Sequence, residues 1–248
     1  MTNTLLRPKV GIIGGAGPMA GALLFQKIIR ICQEEYGCRN DEDFPYIMLL
    51  NFPFADMLSE GGSLSQGSLI KDQLKDCILR LQENEIEIAA IACNTLHESL
   101  NGIELKDISL IHMIEETALF LDSIQLFSTV VLCSNTSFEC RLHQRYFDCT
   151  YSDENLHAQA QDVINKILAG KQCSDDSKML ADQLNSKLLL LGKEKEKKIG
   201  LVLGCTEFSV LNDQFPLRLN GLSENFFIID PNQIVAEKIC KLIFKNNN

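Results

Sequence analysis

The chain has 248 residues, 46% of them hydrophobic and 23% charged, with a formal net charge of −10. That length and balance describe a globular protein with a substantial core, in one large or two small domains, and exclude a disordered chain. The acidic excess, without clustered Lys and Arg, argues against a nucleic-acid partner, because phosphate recognition needs a basic surface. The densest basic run, Lys193 to Lys198, is interleaved with glutamates and reads as a solvated loop. No segment approaches the ~18 apolar residues of a membrane span, and the first residues lack the apolar stretch of a signal peptide, so a soluble cytoplasmic protein is expected. Ten cysteines without framework spacing or a Cys-x-x-Cys pair, and four scattered histidines, point to reduced thiols and to no structural zinc site.

In chain order, Val10 to Gly15 is a short apolar strand ending in glycines, and Pro18 to Arg30 follows with helical spacing. The turn between them has little side-chain bulk, so its backbone amides can face an anion. Gly15-Ala16-Gly17-Pro18-Met19-Ala20 also satisfies a Gly-x-Gly-x-x-Ala dinucleotide fingerprint, with Glu34 and Glu35 near the distance of a ribose-binding acid. Both glutamates fall on or just after the first helix, not at the end of a second strand, which favours a small anionic ligand over a nucleotide. Tyr46 to Asn51 is a second strand, Glu60 to Gly67 a Gly- and Ser-rich candidate flap, and Ser68 to Glu83 an amphipathic helix. The strand that ends at Cys93 leads to a helix near Thr95 to Leu100, then come a strand at Ile108 to Met113 and a helix at Glu115 to Ser123. This alternation predicts a parallel sheet covered on both faces, with binding groups at the strands' C-terminal ends.

Around Phe127 the pattern restarts. A strand at Thr129 to Cys133 turns through Ser134 to Ser137 into a helix running to about Arg145. Asp148 to Tyr151 is a short strand, and Glu154 to Leu168 and Ser177 to Leu191 are helices. Ile199 to Gly204 is the strand that carries Cys205, Phe226 to Asp230 is the closing strand, and Pro231 to Phe244 is the last helix, with proline at its first turn.

Two cysteines stand apart from the other eight. Cys93 and Cys205 each follow an apolar strand and precede polar residues able to cap a helix: Asn94 and Thr95 in one case, Thr206 in the other. A thiol at a helix N-terminus is biased toward thiolate by the amides and the helix dipole, so the two read as a catalytic acid–base pair on either side of one carbon. Asn94, Thr95, Asn135, Thr136 and Thr206 read as caps that also hold a substrate carboxylate. His97 and Glu207, close behind the cysteines, are placed to tune the thiols. The remaining cysteines, Cys32, Cys77, Cys133, Cys140 and Cys240 among them, read as structural.

These residues resemble a known family, the PLP-independent aspartate/glutamate racemases of the aspartate racemase type. The resemblance rests on residues 11–18 (Gly-Ile-Ile-Gly-Gly-Ala-Gly-Pro), 92–97 (Ala-Cys-Asn-Thr-Leu-His), 112–117 (His-Met-Ile-Glu-Glu-Thr), 203–207 (Leu-Gly-Cys-Thr-Glu) and Asp230-Pro231, in family order. It implies two similar parallel-sheet α/β domains related by pseudo-two-fold symmetry with an interdomain active site. The first would comprise residues 1–112 plus 223–248, the second 113–222. It further implies a homodimer, no cofactor, Cys93 and Cys205 as catalysts, and Ala16, Asn94, Thr95, Asn135, Thr136 and Thr206 around a small-molecule amino-acid substrate. Three positions depart from the pattern: Met57 stands where relatives carry a carboxylate-gripping arginine, Leu168 where a lysine is expected, and Ala16 where methionine is common. The alternatives are a two-cysteine epimerase, a one-thiol decarboxylase of the same superfamily, or a binding protein that senses an amino acid without turnover.

Overall fold

The computed structural model describes residues 7–55, 62–190 and 198–245, which form two compact units. In the first, strands β1 (Val10–Gly14), β2 (Ile47–Asn51), β3 (Ile88–Ile91) and β4 (Ser109–Ile111) make an all-parallel sheet in the order β2-β1-β3-β4. Its helices are α1 (Pro18–Glu34), α2 (Gly62–Glu83), α3 (Met113–Asp122) and α8 (Pro231–Phe244), the numbering of the last following chain order. The unit boundary falls within α3, after Glu116.

The central strands are apolar throughout because both faces are covered, as parallel sheets require. Successive residues alternate between two cores. Val10, Ile12, Ile88 and Ala90 pack with Leu24 and Ile28 of α1 and with Val235, Ala236, Ile239 and Ile243 of α8. Ile13, Ala89 and Ile91 point the other way, onto Ile70, Leu74, Ile78 and Leu81 of α2.

The second unit repeats the plan. Strands β5 (Ser128–Leu132), β6 (Thr150–Tyr151), β7 (Ile199–Leu203) and β8 (Phe226–Ile229) form another all-parallel sheet, in the order β6-β5-β7-β8. Helices α4 (Asn135–Glu139), α5 (Glu154–Leu168), α6 (Ser174–Leu190) and α7 (Thr206–Gln214) accompany it. Val131, Leu132, Leu201, Val202, Leu203, Val163, Ile164, Leu180 and Phe208 are buried here. Two parallel four-strand sheets with helices are thus the α/β architecture expected from the alternation of elements.

Several local expectations differ from what is observed. The helix expected from Ser68 begins at Gly62, so the Gly- and Ser-rich stretch is mostly its first turns; Glu60 and Gly61 lie outside the described residues. The helix expected from 134 to 145 stops at Glu139, and a 3-10 turn, His143–Arg145, follows after Arg141 takes a left-handed φ of 50°. The C-terminal segment was expected to return whole to the first domain from residue 223, but it divides at Pro231/Asn232. β8 pairs with β7 of the second sheet, its approach pinned by the Arg218 guanidinium donating to the carbonyls of Leu222, Ser223 and Phe226. α8 belongs to the first unit, where Lys238 Nζ lies 2.9 Å from Glu116 Oε1 and Tyr36 stacks on Phe244 at 4.2 Å.

All ten cysteines are free thiols. Among the described residues no helix is long and apolar enough to cross a membrane.

Candidate active site

In each sheet the second and third strands of the spatial order are the point where the winding changes direction. β1 leads to β2 on one side while β3 lies on the other, and β5, β6 and β7 repeat the arrangement. At such a point the loops leaving neighbouring strands part to opposite sides, and open parallel sheets bind ligands in the crevice at the strands' C-terminal ends. Those loops are residues 15–17 and 92–95 in the first unit, and 133–136 and 204–206 in the second. Every residue singled out in the sequence, Ala16, Cys93, Asn94, Thr95, Asn135, Thr136, Cys205 and Thr206, lies in one of these four segments.

The two cysteines occupy equivalent positions within their units. Cys93 is two residues beyond the end of β3 and Cys205 two beyond the end of β7, and each side chain is 8% exposed. Beside Cys93, the glycine turn is held by close backbone approach: Gly15 has φ of +105°, and a Cβ there would stand 1.9 Å from the Phe52 carbonyl oxygen. Ala16 packs against the same core cluster that contains Cys93.

The helix expected after Cys93 is a 3-10 turn of six residues, Thr95–Leu100, so the dipole of a full α-helix is not available to this thiol. Asn94 sits at its capping position without making a capping bond. Its side chain is 3% exposed, and its amide Nδ2 has no hydrogen-bond partner among the described residues. A buried, unmatched donor costs free energy unless something else accepts from it. His97, four residues on, contacts the Cys93 carbonyl at 2.8 Å through Nδ1.

In the second unit Cys205 is itself the N-cap of α7, with extended backbone (φ −114°, ψ 131°), and Thr206 is the first helical residue, not the cap. The Cys205 thiol donates to Glu207 Oε2 at 2.8 Å, and the Thr206 hydroxyl reaches the same oxygen at 3.5 Å. Burial pushes the Glu207 carboxyl above its ordinary range, against the opposing pull of the Cys205 hydrogen bond. A carboxylate so placed is a ready acceptor for the thiol proton.

The cap of α4 is Ser134, whose hydroxyl accepts from the Ser137 amide, so Asn135 and Thr136 are helical residues and not caps. The Asn135 amide is taken by Gln161 Oε1 at 2.9 Å. Gln161, buried on α5, escaped sequence reading because nothing local marks a glutamine that reaches back 26 residues.

His143 escaped it too. Gly204, just before Cys205, lies so close to β5 and this ring that a Cβ would stand 2.4 Å from Val131 Cγ1 and 2.9 Å from His143 Nε2. Burial lowers the His143 pKa from 6.5 to about 4. The unfolded chain therefore takes up this proton first, and stability present above pH 6.5 is lost as pH falls to about 4. At 1.36 kcal/mol per unit that loss is roughly 3 kcal/mol. His143→Phe is expected to flatten the acid limb of a plot of denaturation midpoint against pH; an unchanged limb would assign it to other groups.

The other thiols are poor acids: burial raises Cys77 and Cys149 to about 12 and drives Cys133 upward as well. Among the described residues no group of three or more His, Cys, Asp or Glu is arranged to hold a metal ion.

A model of the family described as Asp/Glu/hydantoin racemase matches residues 13–239, most of the chain. The chain belongs to the Asp/Glu/hydantoin racemase family. As a member of this racemase family it is an enzyme of the isomerase class. It is 26% identical over 165 residues to a broad-specificity amino-acid racemase of Bacillus subtilis, covering 64% of this chain and 69% of that one. The racemase fold is shared with Picrophilus torridus aspartate racemase (TM-score 0.67, 20% identity, 94% and 93% of the two chains). It is also shared with an aspartate racemase homologue from Pyrococcus horikoshii (0.68, 18%, 95% and 98%) and a glutamate racemase isoform from Bacillus anthracis (0.63, 16%, 97% and 83%).

Proposed function

We propose that this racemase inverts the α-carbon of a free amino acid, aspartate or a similar small one, by acid–base catalysis between Cys93 and Cys205 without a cofactor. The observation that carries the reading is the equivalence of the two thiols. Each stands two residues past the third strand of its sheet, at that sheet's switch point, and each is buried but for 8% of its surface.

In one direction Cys205, its proton passed to Glu207, acts as thiolate and removes the α-hydrogen, while the Cys93 thiol delivers its proton to the opposite face. The product leaves Cys205 as thiol and Cys93 as thiolate, which is the starting state for the reverse reaction. Proton exchange with solvent through Glu207 resets the pair. The α-hydrogen is a far weaker acid than a thiol, so the carbanion needs stabilisation from fixed donors. The unmatched Asn94 amide and the hydroxyls of Thr95, Thr136 and Thr206 fill that role, directed at the α-carboxylate, with Asn135 and Ala16 shaping the same walls.

The side chain of the substrate is read from the departures. Met57 lies outside the described residues, and Leu168 is 42% exposed at the end of α5. Without an arginine and a lysine at these places the grip on a second carboxylate is weakened, which favours a preference wider than the acidic amino acids.

Single enantiomers of the common amino acids, incubated in deuterated water and resolved by chiral chromatography, test the reading. The expected product is the opposite enantiomer carrying deuterium at the α-position. Release of carbon dioxide would place the chain with the decarboxylases, and binding without inversion of any amino acid would make it a sensor.

A further inference from the structure

His97 is 4% exposed, and its two ring nitrogens face partners of fixed character. Nδ1 is 2.8 Å from the Cys93 carbonyl oxygen, and Nε2 is 3.2 Å from the Met113 amide nitrogen. A carbonyl only accepts and an amide N–H only donates. The contacts therefore assign the imidazole: Nδ1 carries the proton, Nε2 offers its lone pair, and the ring is neutral. It joins two segments 16 residues apart, the turn that carries Cys93 and the first residue of α3. His112 backs it edge-on, with ring centroids 4.3 Å apart. The His112 ring is itself engaged, its Nδ1 accepting the Glu115 amide at 3.3 Å.

We propose that His97 is a positioning residue: by tying the Cys93 carbonyl to the start of α3 it fixes the direction in which the Cys93 thiol points. The proposal rests on the reading of Cys93 as one member of the acid–base pair. Its basis is a contrast between the two thiols. Cys205 is held by a nine-residue helix of which it is the cap and by Glu207 at its sulfur. Cys93 has behind it only a six-residue 3-10 turn with no side-chain cap bond. The His97 bridge supplies the anchorage that turn lacks. A misplacement of about 1 Å in a reacting group costs on the order of 10²-fold in rate, so anchorage of this kind bears directly on turnover.

Two variants separate the halves of the bridge. His97→Asn keeps an N–H at the same distance along the side chain as Nδ1 but stops short of Met113. His97→Gln reaches the Met113 amide with its carbonyl and leaves the Cys93 carbonyl without its donor. With the amino acid found in the enantiomer screen, kcat is expected to fall about 10²-fold in His97→Gln and less in His97→Asn, with KM changed only a few-fold. Iodoacetamide alkylation followed by peptide mass spectrometry is expected to rise at Cys93 and stay constant at Cys205. Wild-type kcat in His97→Gln, or equal changes at both cysteines, overturns the proposal. On the unaltered chain, 15N chemical shifts of His97 are expected to report the neutral Nδ1–H tautomer, and the Nε2–H form overturns it even where a variant fails to fold. Cys93→Ser is the control for the underlying reading. If it still racemises, the cysteine pair is wrong; if it is inactive while His97→Gln is fully active, only the bridge falls.

Discussion

Cys93→Ser and Cys205→Ser are each expected to lower kcat for inversion by about 10²- to 10⁴-fold, the range associated with loss of a positioned acid or base. Both replacements keep the size of the side chain, and both sites are nearly enclosed, so the melting temperature should move little. The sharper expectation concerns hydrogen exchange without inversion. With Cys205 intact, the Cys93→Ser protein can still remove and return the α-hydrogen on one face, washing deuterium into one enantiomer. The Cys205→Ser protein should do the same to the other enantiomer. Nuclear magnetic resonance of each enantiomer in deuterated water reads this directly. Full inversion in either variant, or exchange confined to the same enantiomer in both, would refute a pair working from opposite faces.

Glu207→Gln is expected to separate catalysis from stability. Glutamine still accepts from the Cys205 thiol, whose bond to Oε2 is 2.8 Å in the native chain, but it cannot take the proton. Turnover should fall about 10²-fold on the scale of a lost general base. Stability should move the opposite way. Burial holds the Glu207 pKa above its unfolded value, so the native protein has its full stability below the ordinary carboxylate value of 4.5 and loses part of it as pH rises through the elevated one. Glutamine does not ionise and avoids that loss. The melting temperature of the variant relative to wild type is therefore expected to increase from pH 4.5 to pH 8. A difference that does not change with pH would mean that Glu207 is not penalised by burial, and unchanged turnover would remove it from the proton path.

The parts of this molecule legible in sequence are those specified locally. Ile88–Ile91 and Ile199–Leu203 are continuous apolar runs because strands covered on both faces need them, and the cysteines two residues beyond their ends were visible for the same reason. Pro231 marked the start of α8 because proline suits a first helical turn. What escaped depends on distance along the chain or on choices among equivalent residue types. Ser134, Asn135 and Thr136 can all cap a helix, and only the Ser134 hydroxyl at the Ser137 amide decides among them. The first turns of α2 were hidden because glycine and serine are weak helix formers, so residues 62–67 resembled a loop. The role of His97 turns on the Met113 amide, and that of Gln161 on the Asn135 amide, neither adjacent in sequence. The parting of β8 from α8 at Pro231/Asn232 follows from which sheet accepts Phe226–Ile229, and no short pattern records it.

That parting sets an order of birth. Residues 117–231 are contiguous, so the second unit has all of its own material as soon as Pro231 leaves the ribosome. The first unit, begun earlier, waits for the last-made helix to cover Val10, Ile12 and Ile28. During synthesis the older half is the one left with an open apolar flank, and it is there that a nascent chain would draw a chaperone.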